Sequence, residues 1–144
     1  MSRRTTEEGQ TTLLLVGFFM VAVLLVVVVV DASAAYLRRQ RLDALADGAA
    51  LAAADALAAE RVYLGGLDER AGIDPGLARS HVAEHLRTVG AHRAYRGLTV
   101  RVSTTADSVE VRVAAPLELP FAPPGWTGQT RVSGTAAAFV QVVD

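Results

Sequence analysis

The feature that most constrains this chain is an uninterrupted apolar run from Leu13 to Val30, in which 15 of 18 residues are Leu, Val or Phe. As a helix it rises about 27 Å, close to the hydrocarbon thickness of a bilayer. A few tenths of a kcal/mol from each large apolar residue favours insertion by roughly 5 kcal/mol. The valines Val26 to Val30 prefer strands in water. In lipid, where backbone groups must be satisfied within the segment, helix prevails. A cleaved signal peptide is the competing reading: Arg3 and Arg4 make a basic start and Ala32-Ser33-Ala34 fits a small-residue cleavage site. Against it stand a run longer than the usual apolar region and a helical pattern that continues through the supposed cut. Retention of the anchor is the expectation. Charge does not orient it, since Arg3 and Arg4 at one end are balanced by Arg38, Arg39 and Arg41 at the other.

The 144 residues leave room for this anchor and one small domain. A formal net charge of −1 gives no basic field for nucleic acid, and the absence of cysteine excludes disulfides and thiolate zinc sites. All 14 basic residues are arginine, and lysine and asparagine are missing, a bias expected of a GC-rich bacterial genome.

Beyond Val30 no proline interrupts the pattern before Gly65-Gly66, and Gly48 is the only interior breaker. At 100° per residue, Leu42, Leu45, Ala46, Ala49, Ala50, Ala53, Ala56 and Leu57 fall on one stripe, with Asp43, Asp47 and Asp55 on the other side. Ala54 is expected opposite the stripe. The result is one helix of about 50 residues with a narrow seam of small side chains that lets another element approach closely. Two readings of the seam stay open, and they can coexist: it packs partner helices, or it packs the chain's own C-terminal domain.

Glu8-Gly9-Gln10, Asp31, Tyr36-Leu37, Arg41-Leu42-Asp43 and Ala46-Asp47-Gly48-Ala49-Ala50-Leu51-Ala52-Ala53-Ala54, in that order and spacing, resemble the N-terminal region of the TadE/TadG-like proteins of Flp/Tad (tight adherence) pilus assembly. The resemblance covers about residues 7–57. Asp43 stands where that family usually has Gln, and Gly48 where it usually has Ala. The resemblance implies a single-pass protein of the bacterial cytoplasmic membrane with a short cytoplasmic N-terminus and an extracytoplasmic C-terminal domain. Its implied partners are the bilayer and other pilus or secretion-system membrane proteins, a second copy of this chain included. Pseudopilins of such systems are cut after a glycine that has a glutamate five residues on. Here Leu14 stands five residues after Gly9, so no cut is expected.

The expected division is residues 1–12 before the membrane, 13–30 within it, 31–62 as the helix beyond it, and 63–144 as a small α+β domain. After a loop, Asp74-Pro75 starts a helix as N-cap and first-turn proline, with Leu77, Val82, Leu86 and Val89 as its apolar face and Gly90 as its end. From Leu98 the period becomes two: Val100 and Val102, then Val109, Val111 and Val113, form an antiparallel hairpin across the turn Thr104–Asp107. Arg101 is then placed across from Glu110 or Arg112, according to register. Leu117-Glu118-Leu119 reads as a short edge strand between Pro116 and Pro120, and Gln129 to Val143 as a further strand whose Ala136-Ala137-Ala138 suits helix packing. The fold class is therefore α+β: a transmembrane helix continuing as an amphipathic helix, a short helix, and a three- or four-stranded meander in a pilin-like arrangement.

Chemistry is sparse. His81-Val82-Ala83-Glu84-His85 spells the inverted zinc-peptidase signature H-x-x-E-H, but such enzymes draw a third ligand from a distant acidic helix of a larger domain, and a solvated histidine face is the expectation. Asp31 is placed at the membrane edge and Tyr36 in an interfacial belt, while Trp126 covers the small core. No phosphate-cradling loop, nucleophile elbow or catalytic carboxylate pair is present. The expectation is a structural protein with no enzymatic activity, cofactor, metal or small-molecule substrate; the alternative is an anchored or secreted extracytoplasmic binding module unrelated to pili.

Overall fold

The computed structural model describes residues 7–63, 72–121, 125 and 130–140. Helix α1, Glu7–Tyr63, runs unbroken for 57 residues, about 85 Å at 1.5 Å per residue. It is the one helix among the described residues long and apolar enough to cross a membrane, and none of its most apolar window is buried. At the end of that window the Ser33 hydroxyl donates to the Val29 carbonyl, so this polar group is satisfied inside the helix.

Helix α2, Pro75–Thr88, starts as its sequence dictates. The Asp74 carboxylate accepts from the backbone N–H of Gly76 at 2.6 Å and of Leu77 at 3.4 Å, satisfying donors that the first turn leaves open. Gly90, at φ 68°, turns the chain into a short helix α3, Ala91–Ala94, which the sequence reading did not contain. The buried face of α2 is Ala78, Val82 and Leu86. Leu77 and Val89, expected on that face, are exposed, because the stripe at intervals of four runs through Ala78 and leaves both larger residues to its side.

Strands β1 (Thr99–Thr104), β2 (Ser108–Pro116) and β3 (Arg131–Phe139) form one antiparallel sheet in that order. Val109, Val111, Val113 and Ala115 of β2 are fully covered. Their register partners Ala138, Ala136, Gly134 and Val132 of β3 share their face of the pleat, as do Val102 and Val100 of β1. Arg101 lies opposite Arg112, and Ser103 opposite Glu110. Leu117–Leu119 is not a strand. Pro116 pairs with Arg131 as the last rung, the Leu117 N–H donates once more to Thr130, and proline on both sides of the segment prevents a ladder from continuing.

The two longer helices cover one face of the sheet. Contacts along α1 fix the height of each element above the apolar run. Counting from Asp31 at 1.5 Å per residue, the backbone of Phe121 is level with Asp31 itself. Tyr95 is level with Arg38, about 10 Å farther out. Gly134 lies against Leu42 and Asp43, about 17 Å out, and His85 against Gly48, about 26 Å out. Thus α2 descends toward the apolar run, β1 rises, β2 descends and β3 rises. Val140 at the far end closes the sheet through its N–H to the Asp107 carbonyl at 2.8 Å.

Candidate partner surface on the long helix

The site proposed by the sequence is the seam of α1. Leu42, Ala46, Ala49, Ala50, Ala53 and Leu57 are buried, and Leu45 and Ala56 are half-buried. What covers them belongs to the same chain: β3 and β2 on one side, α2 on the other. Of the two readings of the seam, the internal one describes its surroundings here. Ala54 is buried as well, at 2% exposure, and does not lie on the free side. The correction has a geometric cause. A sheet and a helix together wrap more of α1 than a single packing partner does, so the covered arc reaches beyond a stripe one or two residues wide.

Small side chains set the depth of this contact. A methyl group on Gly134 would overlap backbone atoms of Leu42 and Asp43, so β3 lies directly on the helix backbone, an approach that only glycine allows. Ala136 and Ala138 extend the same close packing along the strand. On the α2 side, a β-carbon at Gly48 would stand 3.2 Å from Nε2 of His85. Gly48 therefore leaves room for a histidine ring.

Once the domain is in place, the free face of α1 beyond the apolar run carries Leu37, Ala44 and Leu51, seven residues apart, with Val62 farther on. Leu37 is 51% exposed, Leu51 55% and Val62 63%. Arg41, Asp47 and Asp55 flank them. This stripe continues Val16, Val23 and Val30 of the apolar run at the same interval, and that seven-residue spacing is the signal by which the sequence could have revealed it.

Near the membrane edge, half-buried Asp31 accepts the Phe121 N–H at 3.2 Å, and Tyr36 is 64% exposed. The Arg38 guanidinium lies 5.3 Å from the centre of the Tyr95 ring, within cation–π range. Its Nε is buried with no hydrogen-bond partner among the described residues. The ion pair of Arg39 and Asp43, at 3.9 Å and mostly exposed, adds little stability. Trp126 lies outside the described residues.

Chemical groups do not converge. His81 and His85 share α2, but among the described residues no three His, Cys, Asp or Glu side chains come together. An open groove of about 670 Å³ lies between α2 and the edge strand β1, with Val82, Leu86, Val100 and Val102 in its lining. Its polar lining is Arg79, His92, Arg101 and Ser103, with no carboxylate.

Residues 9–56 match the family described as putative Flp pilus-assembly TadE/G-like. The match covers a third of the chain and falls wholly within α1. No curated protein and no solved structure matches.

Proposed function

We propose that this chain is a membrane-anchored, non-enzymatic structural component of a Flp/Tad-type pilus or its secretion apparatus, and that it acts by packing its long helix against other membrane proteins. The observation that carries the reading is that the family match begins and ends within one continuous helix. The matched element is thus the long helix. The N-terminus lies in the cytoplasm and the α+β domain outside the cytoplasmic membrane.

With the seam occupied by the chain's own domain, the surface left for partner helices is the stripe of Leu37, Ala44 and Leu51. Apolar residues of this size, exposed on a helix that emerges from the bilayer, continue a lipid-compatible face into water. A second helix rising beside α1 covers them without unfolding anything. The seam itself becomes available to partners only if the domain detaches.

Cross-linking or co-purification in cells that carry the pilus genes tests this. Leu51→Arg should lose partner cross-links while the protein level holds, because the side chain is exposed. Ala49→Arg should lower the protein level by placing a long charged group in the core. Retention of all partners by Leu51→Arg would remove the outer stripe from the proposal. Loss of partners at normal protein level in Ala49→Arg would return the role to the seam. The groove beside β1 favours the second reading, an extracytoplasmic binding module. The absence of secretion-ATPase and prepilin-like genes beside this one would support that reading over pili.

A further inference from the structure

We propose that the membrane-side end of the domain, Phe121 together with Tyr95 and its flanking Arg93 and Arg96, rests on an anionic phospholipid surface and sets the direction in which the long helix leans. The inference rests on the anchored reading of α1.

The argument is one of depth. If Leu13–Val30 fills the hydrocarbon, Asp31 is the first residue in the headgroup layer, which is about 5–8 Å thick on each side. The hydrogen bond from the Phe121 N–H to Asp31 holds Phe121 at that level, and the residue is 53% exposed. An aromatic ring at this height, turned away from the protein, has the placement of an interfacial anchor. It stands beside the helix rather than on it, next to the exposed Pro120. Contact with lipid there is a second point of attachment beside α1.

The next layer out is basic. Tyr95 lies level with Arg38, about 10 Å beyond Asp31, within roughly one Debye length of the outer headgroup boundary. Arg93 and Arg96 on either side of it are exposed. Arg131, at the same end of the sheet, is tied to the Gly97 carbonyl at 2.8 Å. The carboxylates at this end are Asp31, engaged by Phe121, and Glu118, exposed on the same segment. Arginines at this height are drawn to anionic lipid, each raising the docked population roughly fivefold. A helix anchored at two points leans toward the second one, since interfacial anchors determine tilt.

The chain has no cysteine, so single labels can be placed at will. Full-length protein carrying a fluorophore at Pro120→Cys, beside the intact Phe121, or at Ala106→Cys in the far turn, is reconstituted into phosphatidylcholine vesicles with or without phosphatidylglycerol. Some of the lipid bears a nitroxide at the headgroup. Fluorescence at position 120 should be lost and that at position 106 retained, with the greater loss in vesicles containing phosphatidylglycerol. Arg93→Gln combined with Arg96→Gln should abolish that lipid dependence. Flotation separates the two ideas. Protein that fails to float with vesicles overturns the anchor and this inference together. Protein that floats but keeps full fluorescence at position 120 overturns the inference alone, and a loss insensitive to phosphatidylglycerol overturns the role of the arginines.

Discussion

The two halves of α1 reverse the usual relation between size, hydrophobicity and burial. From Leu13 to Val30 the side chains are large and apolar, and almost all are exposed. From Leu42 to Leu57 the covered positions are mostly alanine. In water the first half would be an aggregation surface; in lipid it is matched to its solvent. The second half gains little from each methyl group but lets a sheet lie close against the helix backbone. Hydrophobicity alone would assign the core to the wrong half. What separates them is side-chain volume, large on the exposed half and small where another backbone lies against the helix.

The largest expected effect breaks the comparison at the lipid end. Leu24→Arg with Val28→Arg puts two charges mid-run, costing about 6–7 kcal/mol against roughly 5 kcal/mol of favourable insertion. Alkaline carbonate should then release a protein that it otherwise leaves in the membrane pellet. Ala44→Arg with Asp47→Arg, on the exposed face of the second half, should leave carbonate resistance unchanged. Release of the second variant, or retention of the first, would show that the two halves do not differ in solvent.

The next effect sharpens the comparison within the domain. Leu42 is the largest fully buried side chain of α1. Leu42→Ala should destabilise the domain by about 3 kcal/mol through lost burial and a cavity. Leu51→Ala, on the exposed stripe, should change it by less than about 0.5 kcal/mol. Gly134→Ala follows at about 2 kcal/mol, since its methyl group must push the strand off the helix. Urea unfolding in detergent micelles, followed by protease susceptibility of the sheet, measures all three. Equal protease resistance of Leu42→Ala and Leu51→Ala would mean the domain does not depend on the seam.

How much of this was readable in advance follows from what each element depends on. The long apolar helix, the start of α2 and the β1–β2 hairpin rest on local chemistry: an apolar run, an Asp-Pro cap, a period of two. All three are present in the fold. The seam was legible as a stripe, because periodicity shows which residues share a face. Its covered width was not, because that depends on how many elements pack against it, which put Ala54 on the wrong side. Leu117–Leu119 alternates like a strand, but the last rung is Pro116 with Arg131, and the prolines on either side of the segment cannot donate to a ladder. Gly134 was a missed signal, since an isolated glycine within a strand pattern marks a close backbone approach. The contact of Phe121 with Asp31 spans 90 residues, and no local pattern announces it.

The smallest effect concerns Gly48, the other close approach on α1. Glycine inside a helix costs about 1 kcal/mol relative to alanine, so Gly48→Ala alone should stabilise. The added β-carbon, however, would stand 3.2 Å from Nε2 of His85, tighter than ordinary contact, and the half-buried ring must shift to accept it. The gain and the cost are of similar size, so Gly48→Ala should change domain stability by less than about 0.5 kcal/mol. In the background of His85→Ala the obstacle is gone, and the same substitution should return its full gain of about 1 kcal/mol. The difference between the two backgrounds is the coupling energy of the pair, read from the four variants by urea unfolding in micelles. Zero coupling would mean that His85 does not rest on α1 at this point and that the register of α2 against the long helix is set elsewhere. A positive coupling near the full propensity gain would show that glycine at position 48 makes room for the ring on the facing helix.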